Sequence, residues 1–160
     1  MNFDKDISRV LSKLEYGVYI ISMGNGRSGN AFTASWLTQV SSEPPMIVLA
    51  VHNKHQSARM LAEKDGFVVN LLGKGDEAIA GAFYGPVESG NAKLSDVMVT
   101  PAPTTACPVI PGAIGFLDCK VVKRVPCGNH TAFIGEVLAA KLNANTEVLT
   151  SSSSRLRYCG

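Results

Sequence analysis

Three short stretches carry residue types and spacings that could do chemistry. "GNHTAFIGE" sets His130 just after a glycine–asparagine turn and at the start of a strand. An imidazole there is expected to be exposed enough to titrate or to donate to a bound substrate; the other reading is a turn histidine with no role. "VHNKHQS", Val51 to Ser57, leaves an apolar strand and enters a helix. A strand end followed by a helix start leaves N–H groups unpaired, and anions such as phosphate bind there. Lys54 adds charge and Ser57 a hydroxyl donor, although helix capping by Asn53 or Ser57 accounts for the same residues. "NAFTASW" carries Asn30, Thr33, Ala34, Ser35 and Trp36 with no charge. Its small residues would let a flat ligand approach the backbone; an amphipathic strand with wet hydroxyls is the plainer alternative.

Two further patterns invite a functional reading and do not support one. His52 and His55 have the wrong spacing for one helical face and no carboxylate nearby, so no metal site is expected. "GNGRSG" contains a literal G-x-G-x-x-G at Gly24, Gly26 and Gly29. A dinucleotide fingerprint must open a helix and be followed some 20 residues on by an acid. Here a strand-like segment follows, and the later region is "PMIVLAVHN". The glycines therefore read as a hairpin turn that needs positive φ.

The elements that must position these residues can be read along the chain. "DKDISRVLSKL" places Ile7, Val10, Leu11 and Leu14 on one helical face, with Asp4 as its cap. Strands are expected at 17–23, 31–40, 46–51, 67–72, 113–125 and 131–142, with "PCGNH" turning between the last two. "SSEPP" interrupts the pattern after the second strand. Short helices are expected over "SARMLAEKDG", ended by Gly66, and over "GDEAIAGAFYG", ended by Gly85. Residues 86–112, rich in Pro, Gly, Ser and Thr, read as a long surface loop with little structure. "KVVKR" alternates as the wet face of a strand. The tail "TSSSSRLRYCG" reads as polar and mobile apart from Tyr158. Strands joined by turns favour a mainly β architecture, a barrel or sandwich with short helices, over a doubly wound sheet.

Composition bounds the rest. With 46% apolar and 18% charged residues the chain can bury a proper core, as one domain spanning residues 1–160. A net charge of +2 without a basic run does not point to nucleic acid. No apolar run is long enough for a membrane helix, and the charged opening lacks a secretory h-region, so a cytoplasmic location is expected. The four cysteines, Cys107, Cys119, Cys127 and Cys159, form no C-x-x-C and are expected to be free thiols.

Taken together, these stretches resemble a known family. A strand, a glycine turn, N-x-x-T-A-S-W, S-x-x-P-P, an apolar strand, a polar loop and F-x-V-N-L occur in order. "GNHTAFIGEV" then matches a late G-[DN]-H-[ST]-x-x-x-G-x-V. The chain is similar to the flavin reductase-like, FMN-binding split-barrel domain over about Ile7 to Leu142, most of all to flavoredoxin and the flavin domain of high-molecular-weight rubredoxins. The resemblance implies a six-stranded antiparallel Greek-key split barrel, a homodimer, and FMN near the subunit interface. It implies that Asn30 and Thr33, Ala34, Ser35 and Trp36 contact the flavin ring and ribityl chain. Val51, His52, Asn53, Lys54 and Ser57 would form the phosphate loop, Lys93 would place a cation on the flavin or phosphate, and Tyr158 would cover the ring. His130 would be the catalytic residue beside the flavin and nicotinamide. The implied activity is NAD(P)H:FMN oxidoreduction, with NAD(P)H as co-substrate and flavin or a redox partner protein as acceptor. The alternative is a flavoredoxin-type carrier with tightly bound FMN and no direct NAD(P)H activity. This chain departs from the commoner "GDH" in having Asn129 before His130, and Ser57 stands where Thr is frequent.

Overall fold

The computed structural model describes residues 3–85 and 94–156. Helix α1 (Phe3–Leu11) is followed by strand β1 (Tyr19–Met23) and by β2 (Asn30–Ala34), paired antiparallel. Between them Gly24 and Gly26 take φ of +80° and +51°, and Gly26–Ser28 form a 3₁₀ turn. The glycine motif is a hairpin connection, and no helix follows it. Asp4 lies inside α1 rather than before it.

Next come β3 (Leu37–Ser42), β4 (Pro45–His52), α2 (Gln56–Glu63), β5 (Gly66–Leu71) and α3 (Glu77–Ala82). The two-residue strands β6 (Thr100–Pro101) and β7 (Pro108–Val109) form a small ribbon. The chain continues with the long β8 (Gly115–Cys127), then β9 (His130–Leu142) and α4 (Ser151–Ser154). The main sheet has the order β2-β1-β5-β8-β9-β4-β3 with every neighbour antiparallel.

That order forces the sheet to curl. Its two edge strands, β2 and β3, are consecutive in the chain and separated only by Ser35 and Trp36. Ala34 and Leu37 are three Cα steps apart, at most about 11 Å. The edges must therefore face each other across a split that these two residues bridge. Ala50 N–H donates to the Trp36 carbonyl (2.9 Å) and Leu37 N–H to that of Ser35 (2.9 Å), which ties the bridge to the β3–β4 side. The six expected strands are present, with the second broken in two here because a continuous strand could not turn the corner.

Inside the barrel Ile21, Met23, Leu49, Phe67, Val69 and Phe133 form the main apolar cluster. Gly135 on β9 makes room for one of its rings: a Cβ there would sit 2.7 Å from Phe67 Cζ. A second cluster on the outer face joins Val18, Ile20 and Leu72 to α3 and to Leu94 and Leu149. The apolar residues at the start of the chain behave differently: Ile7, Val10 and Leu11 of α1, and Leu14 just past its end, are all exposed.

Several expectations are corrected. The segment 94–112 is not a bare surface loop: Leu94, Ala102, Cys107, Val109 and Ile110 are buried, and it covers the outside of β5 and β8. The neighbouring 86–93 lies outside the described residues. Gly66 does not end α2, whose C-cap is Lys64; it opens β5, where a Cβ would come within 2.9 Å of Thr105. The alternation of "KVVKR" is broken by a register shift between Val121 and Lys123, which leaves Val122 exposed. The tail is pinned rather than mobile up to residue 156. Thr150 bridges to Gly17, and Glu15 Oε1 accepts from Ser151 Oγ (3.1 Å) and Ser152 N–H (3.0 Å). As expected, Cys107, Cys119 and Cys127 are free thiols; the last two both lie on β8.

Candidate functional site

Strand pairing builds the site. In the β4–β9 ladder His52 lies opposite His130, and Val51 opposite Thr131. Two residues far apart in sequence thus meet at one end of the barrel, beside the Ser35–Trp36 split. The His130 ring stacks on Trp36 (centroids 4.8 Å, 28° between planes) and meets His52 edge-on (5.0 Å, 68°). Tyr16 flanks Trp36 at 6.4 Å and His55 flanks His52 at 5.6 Å. The result is an aromatic cluster beside the split, with His130 stacked on Trp36 and His52 set edge-on to it.

His130 is 5% exposed, which corrects the expected exposed turn histidine. Trp36 covers one face and β4 covers an edge, something no local pattern around "GNH" reports. Its Nδ1–H donates to Asn129 Oδ1 (2.7 Å). Burial first, and then the neighbouring His52 and His55, hold the imidazole below its ordinary pKa. His52 Nδ1 accepts the Lys54 N–H (3.1 Å), so its tautomer is set too.

The loop from strand to helix is pinned against the β8–β9 turn. Asn53 N–H donates to the Asn129 carbonyl (2.9 Å), and Thr131 Oγ1 donates to Asn53 Oδ1 (2.8 Å). Asn53 is therefore not a helix cap, and Ser57 lies within α2. The N-cap is His55, which makes no side-chain capping bond. The first-turn N–H groups of α2, with exposed Lys54 just ahead of them, keep the anion-binding character of a helix start.

Asn30 opens β2, where that strand meets α2. Its Nδ2 donates to Met60 Sδ on α2 (3.3 Å). Its Oδ1 is a buried acceptor with no hydrogen-bond partner among the described residues. Leaving such an atom unmatched costs about 1–3 kcal/mol, a cost that a donor placed there would relieve.

The remaining predicted residues divide. Trp36, His52, Asn53, Lys54 and His130 come together, and Ser35 sits buried next to Trp36. Ser57 is buried in the first turn of α2. Thr33 turns toward α3 instead: its Oγ1 donates to the Ala80 carbonyl (2.6 Å). Ala34 and Val51 pack into the barrel interior. Lys93 and Tyr158 lie outside the described residues. Sequence reasoning missed Tyr16, Met60 and Thr131; the last could have been found by placing "NHT" in register opposite "VHN".

Among the described residues no group of His, Cys, Asp and Glu is arranged to hold a metal ion, and no helix is long and apolar enough to cross a membrane. A hollow of about 310 Å³ lies elsewhere, between the Gly24–Asn25 turn, Lys64 and Lys120, and shares no residue with the aromatic cluster. The chemistry-bearing side chains are at the cluster, so the hollow is not taken as the site.

Comparison with known proteins bears on the fold and the family. Residues 11–159 match the family described as flavin reductase like domain. The chain is 30% identical over 151 residues to a putative diflavin flavoprotein A 3 of Nostoc sp. (strain PCC 7120), covering 94% of this chain but 26% of that protein. The chain thus spans about a quarter of the length of the diflavin flavoproteins it matches. It is 27% identical over 153 residues to an NADH:FMN oxidoreductase of Rhodococcus erythropolis, covering 96% of this chain and 77% of that one. Among solved structures, the NADH:FAD oxidoreductase SgcE6 of Streptomyces globisporus superposes with a TM-score of 0.85 at 26% identity, over 98% of this chain and 93% of that one.

Proposed function

Since the chain belongs to the flavin reductase like domain family, we propose that it binds FMN and passes electrons from NAD(P)H through it to free flavin or to a protein acceptor. The observation that carries this reading is the orphaned Asn30 Oδ1 beside α2, together with the Trp36–His130 stack. A flavin offers what both lack: N–H and hydroxyl donors for the acceptor and a flat ring for the stack.

Bound flavin would supply the hydride and single-electron chemistry. The protein's part is binding and orientation. Lys54 and the first-turn N–H groups of α2, near Ser57, would hold the phosphate. Asn30 Oδ1 would accept from a ribityl hydroxyl or a ring N–H. The Ser35–Trp36 bridge and the backbones of Ala34 and Val51 would lie along the ring, with His52 and Asn53 shaping the loop. Thr33 would act through its backbone and its grip on α3. His130, neutral and buried, would border the nicotinamide pocket. Lys93 and Tyr158 are assigned to the flavin by resemblance alone. A second copy of the chain would cover the exposed Ile7, Val10 and Leu11 of α1 and Leu14 just past its end, giving the homodimer.

One observation favours a second reading. In the diflavin flavoproteins the matched region is about a quarter of a longer chain, so there it works beside other domains. A carrier reduced by another protein, with no NAD(P)H activity of its own, fits that arrangement. Anaerobic reduction separates the two. The FMN-loaded protein, freed of excess flavin, is expected to lose its oxidised-flavin absorbance on addition of NADH or NADPH. A band that persists with both but bleaches with dithionite would favour the carrier.

A further inference from the structure

The hollow away from the aromatic cluster has a charge pattern of its own. It lies where β5 and β8 meet the segment 94–112, and its volume of about 310 Å³ is in the range of a small-molecule pocket. The ladder explains the gap. Lys120 on β8 stands opposite Gly66 on β5, which carries no side chain, and a Cβ there would come within 2.9 Å of Thr105. Gly66 thus leaves the space beside Lys120 open. Lys64 at the end of α2 and Asn25 in the β1–β2 turn border it, with Thr104 above and Leu138 of β9 as an apolar side.

Two ammonium groups border this hollow, and the negative groups around them are engaged elsewhere. Asp65 also lines it, but its Oδ1 accepts from Arg124 Nη2–H (3.4 Å). The same guanidinium donates to the Leu61 carbonyl (3.1 Å) and the Lys64 carbonyl (3.2 Å). Arg124 thereby offsets both a carboxylate and the negative end of α2. Asp118 is buried and accepts from Thr104 N–H, Thr105 N–H and Thr105 Oγ1. Glu136 stands opposite Lys120 in the β8–β9 ladder and forms no ion pair with it. Among the described residues neither Lys64 nor Lys120 has an ion-pair partner. Burial pushes up the Cys107 thiol, which also lines the hollow, and the Lys64 ammonium is near enough to pull it the other way.

We propose that this hollow binds a small organic phosphate, its phosphate between Lys64 and Lys120 and its apolar part against Leu138. Lysine engages phosphate as a point charge and needs no bidentate geometry. A phosphate dianion uses both ammonium groups, whereas a single carboxylate does not. Asn25 and Thr104 add amide and hydroxyl donors. The site shares no residue with the candidate flavin site and does not rest on the flavin reading.

An amide NMR titration of the full chain with phenyl phosphate tests it, at fixed ionic strength so that screening stays constant. Saturable shifts are expected at Asn25, Gly66 and Thr105. Lys64→Gln and Lys120→Gln should each weaken binding about fivefold or more, and the double substitution should abolish saturation. Both lysines are exposed, so the fold should survive, and unchanged amide shifts away from the hollow check this. Inorganic phosphate should bind more weakly than phenyl phosphate, and benzoate more weakly than either. Shifts that never saturate, that persist in the double variant or that are confined to Lys54 and the first turn of α2 would overturn the proposal. So would benzoate or inorganic phosphate binding as tightly as phenyl phosphate.

Discussion

Two groups of buried polar residues sit on opposite sides of this barrel's purpose. Under the ribbon of β6 and β7, Asn70 donates to the Ile20 carbonyl (3.0 Å) and Ser22 Oγ (2.9 Å) and accepts from Ile110 N–H (2.8 Å). Ser22 Oγ donates in turn to the Pro108 carbonyl. Fully buried Asp118 accepts from Thr104 N–H (2.7 Å), Thr105 N–H (3.2 Å) and Thr105 Oγ1 (2.5 Å). Every one of these side chains is paired within the chain. On the β2 side, by contrast, Asn30 Oδ1 has no partner among the described residues, and beside the split His130 stacks on Trp36 and meets His52 edge-on. A satisfied polar cluster rigidifies what it joins. An unsatisfied one stores a cost that a ligand can relieve. The first group therefore clamps segment 94–112 to the barrel, and the second is the candidate site.

The largest effect should come from breaking the clamp. Asn70→Leu removes three hydrogen bonds and strands their partners inside the wall, which should cost about 3 kcal/mol or more in urea denaturation. A loss well under about 1 kcal/mol would mean the cluster is not what holds the segment down. Gly66→Val forces a side chain into Thr105 and Cys107 and should cost about 2 kcal/mol.

Asn30→Ala should reverse the pattern. Ligand-free stability should fall by no more than the weak Nδ2–H bond to Met60 Sδ supplies, because the carbonyl it removes has no partner among the described residues, while the FMN dissociation constant should rise about tenfold, roughly 1.4 kcal/mol. Equal losses in stability and binding would place Asn30 in the same class as Asn70.

The pH response is smaller. His130 has a folded pKa below that of the unfolded chain, because of burial and then His52 and His55. The unfolded state takes up the proton first as pH falls, so the neutral ring's contribution is present above about pH 6.5 and is lost below it. The drop in melting temperature between pH 7.5 and 5.5 should shrink in His130→Gln; an unchanged drop would deny His130 this part.

Thiol labelling gives the finest contrast. Cys119, in the barrel interior, is pushed up to about 12 by burial and by nearby Asp118, whereas Cys127 is exposed on the hairpin that carries His130. With a disulfide reagent at pH 8, Cys127→Ser should remove one fast-reacting thiol and Cys119→Ser none.

Much of the architecture was legible locally. Six strand-like runs, the glycine hairpin and the helix at Gln56–Glu63 are statements about periodicity and turn chemistry, and both act over a few residues. The candidate stretches "NAFTASW", "VHNKHQS" and "GNH" were legible because uncharged small residues, a strand-to-helix step and a turn histidine are themselves local features. The burial of 94–112 was not. Its Pro, Gly, Ser and Thr content signals exposure, and Ser22, Asn70 and Asp118, on strands distant in the chain, supply bonds that let it be buried.

The amino-acid order alone thus determined which segments are strands, where the chain turns, and which side chains stand at their ends. The tertiary structure decided the rest, because the rest consists of pairings between distant residues. The strand over 31–40 is broken at Ser35–Trp36 because the sheet's first and last strands are neighbours in the chain and must meet. His130 is buried because β4 and β9 align it with His52 and Trp36 closes over it. Asn30 is orphaned because α2 covers it with a thioether and offers no donor to its oxygen. None of these follows from local composition, because register and burial are set only when the barrel closes.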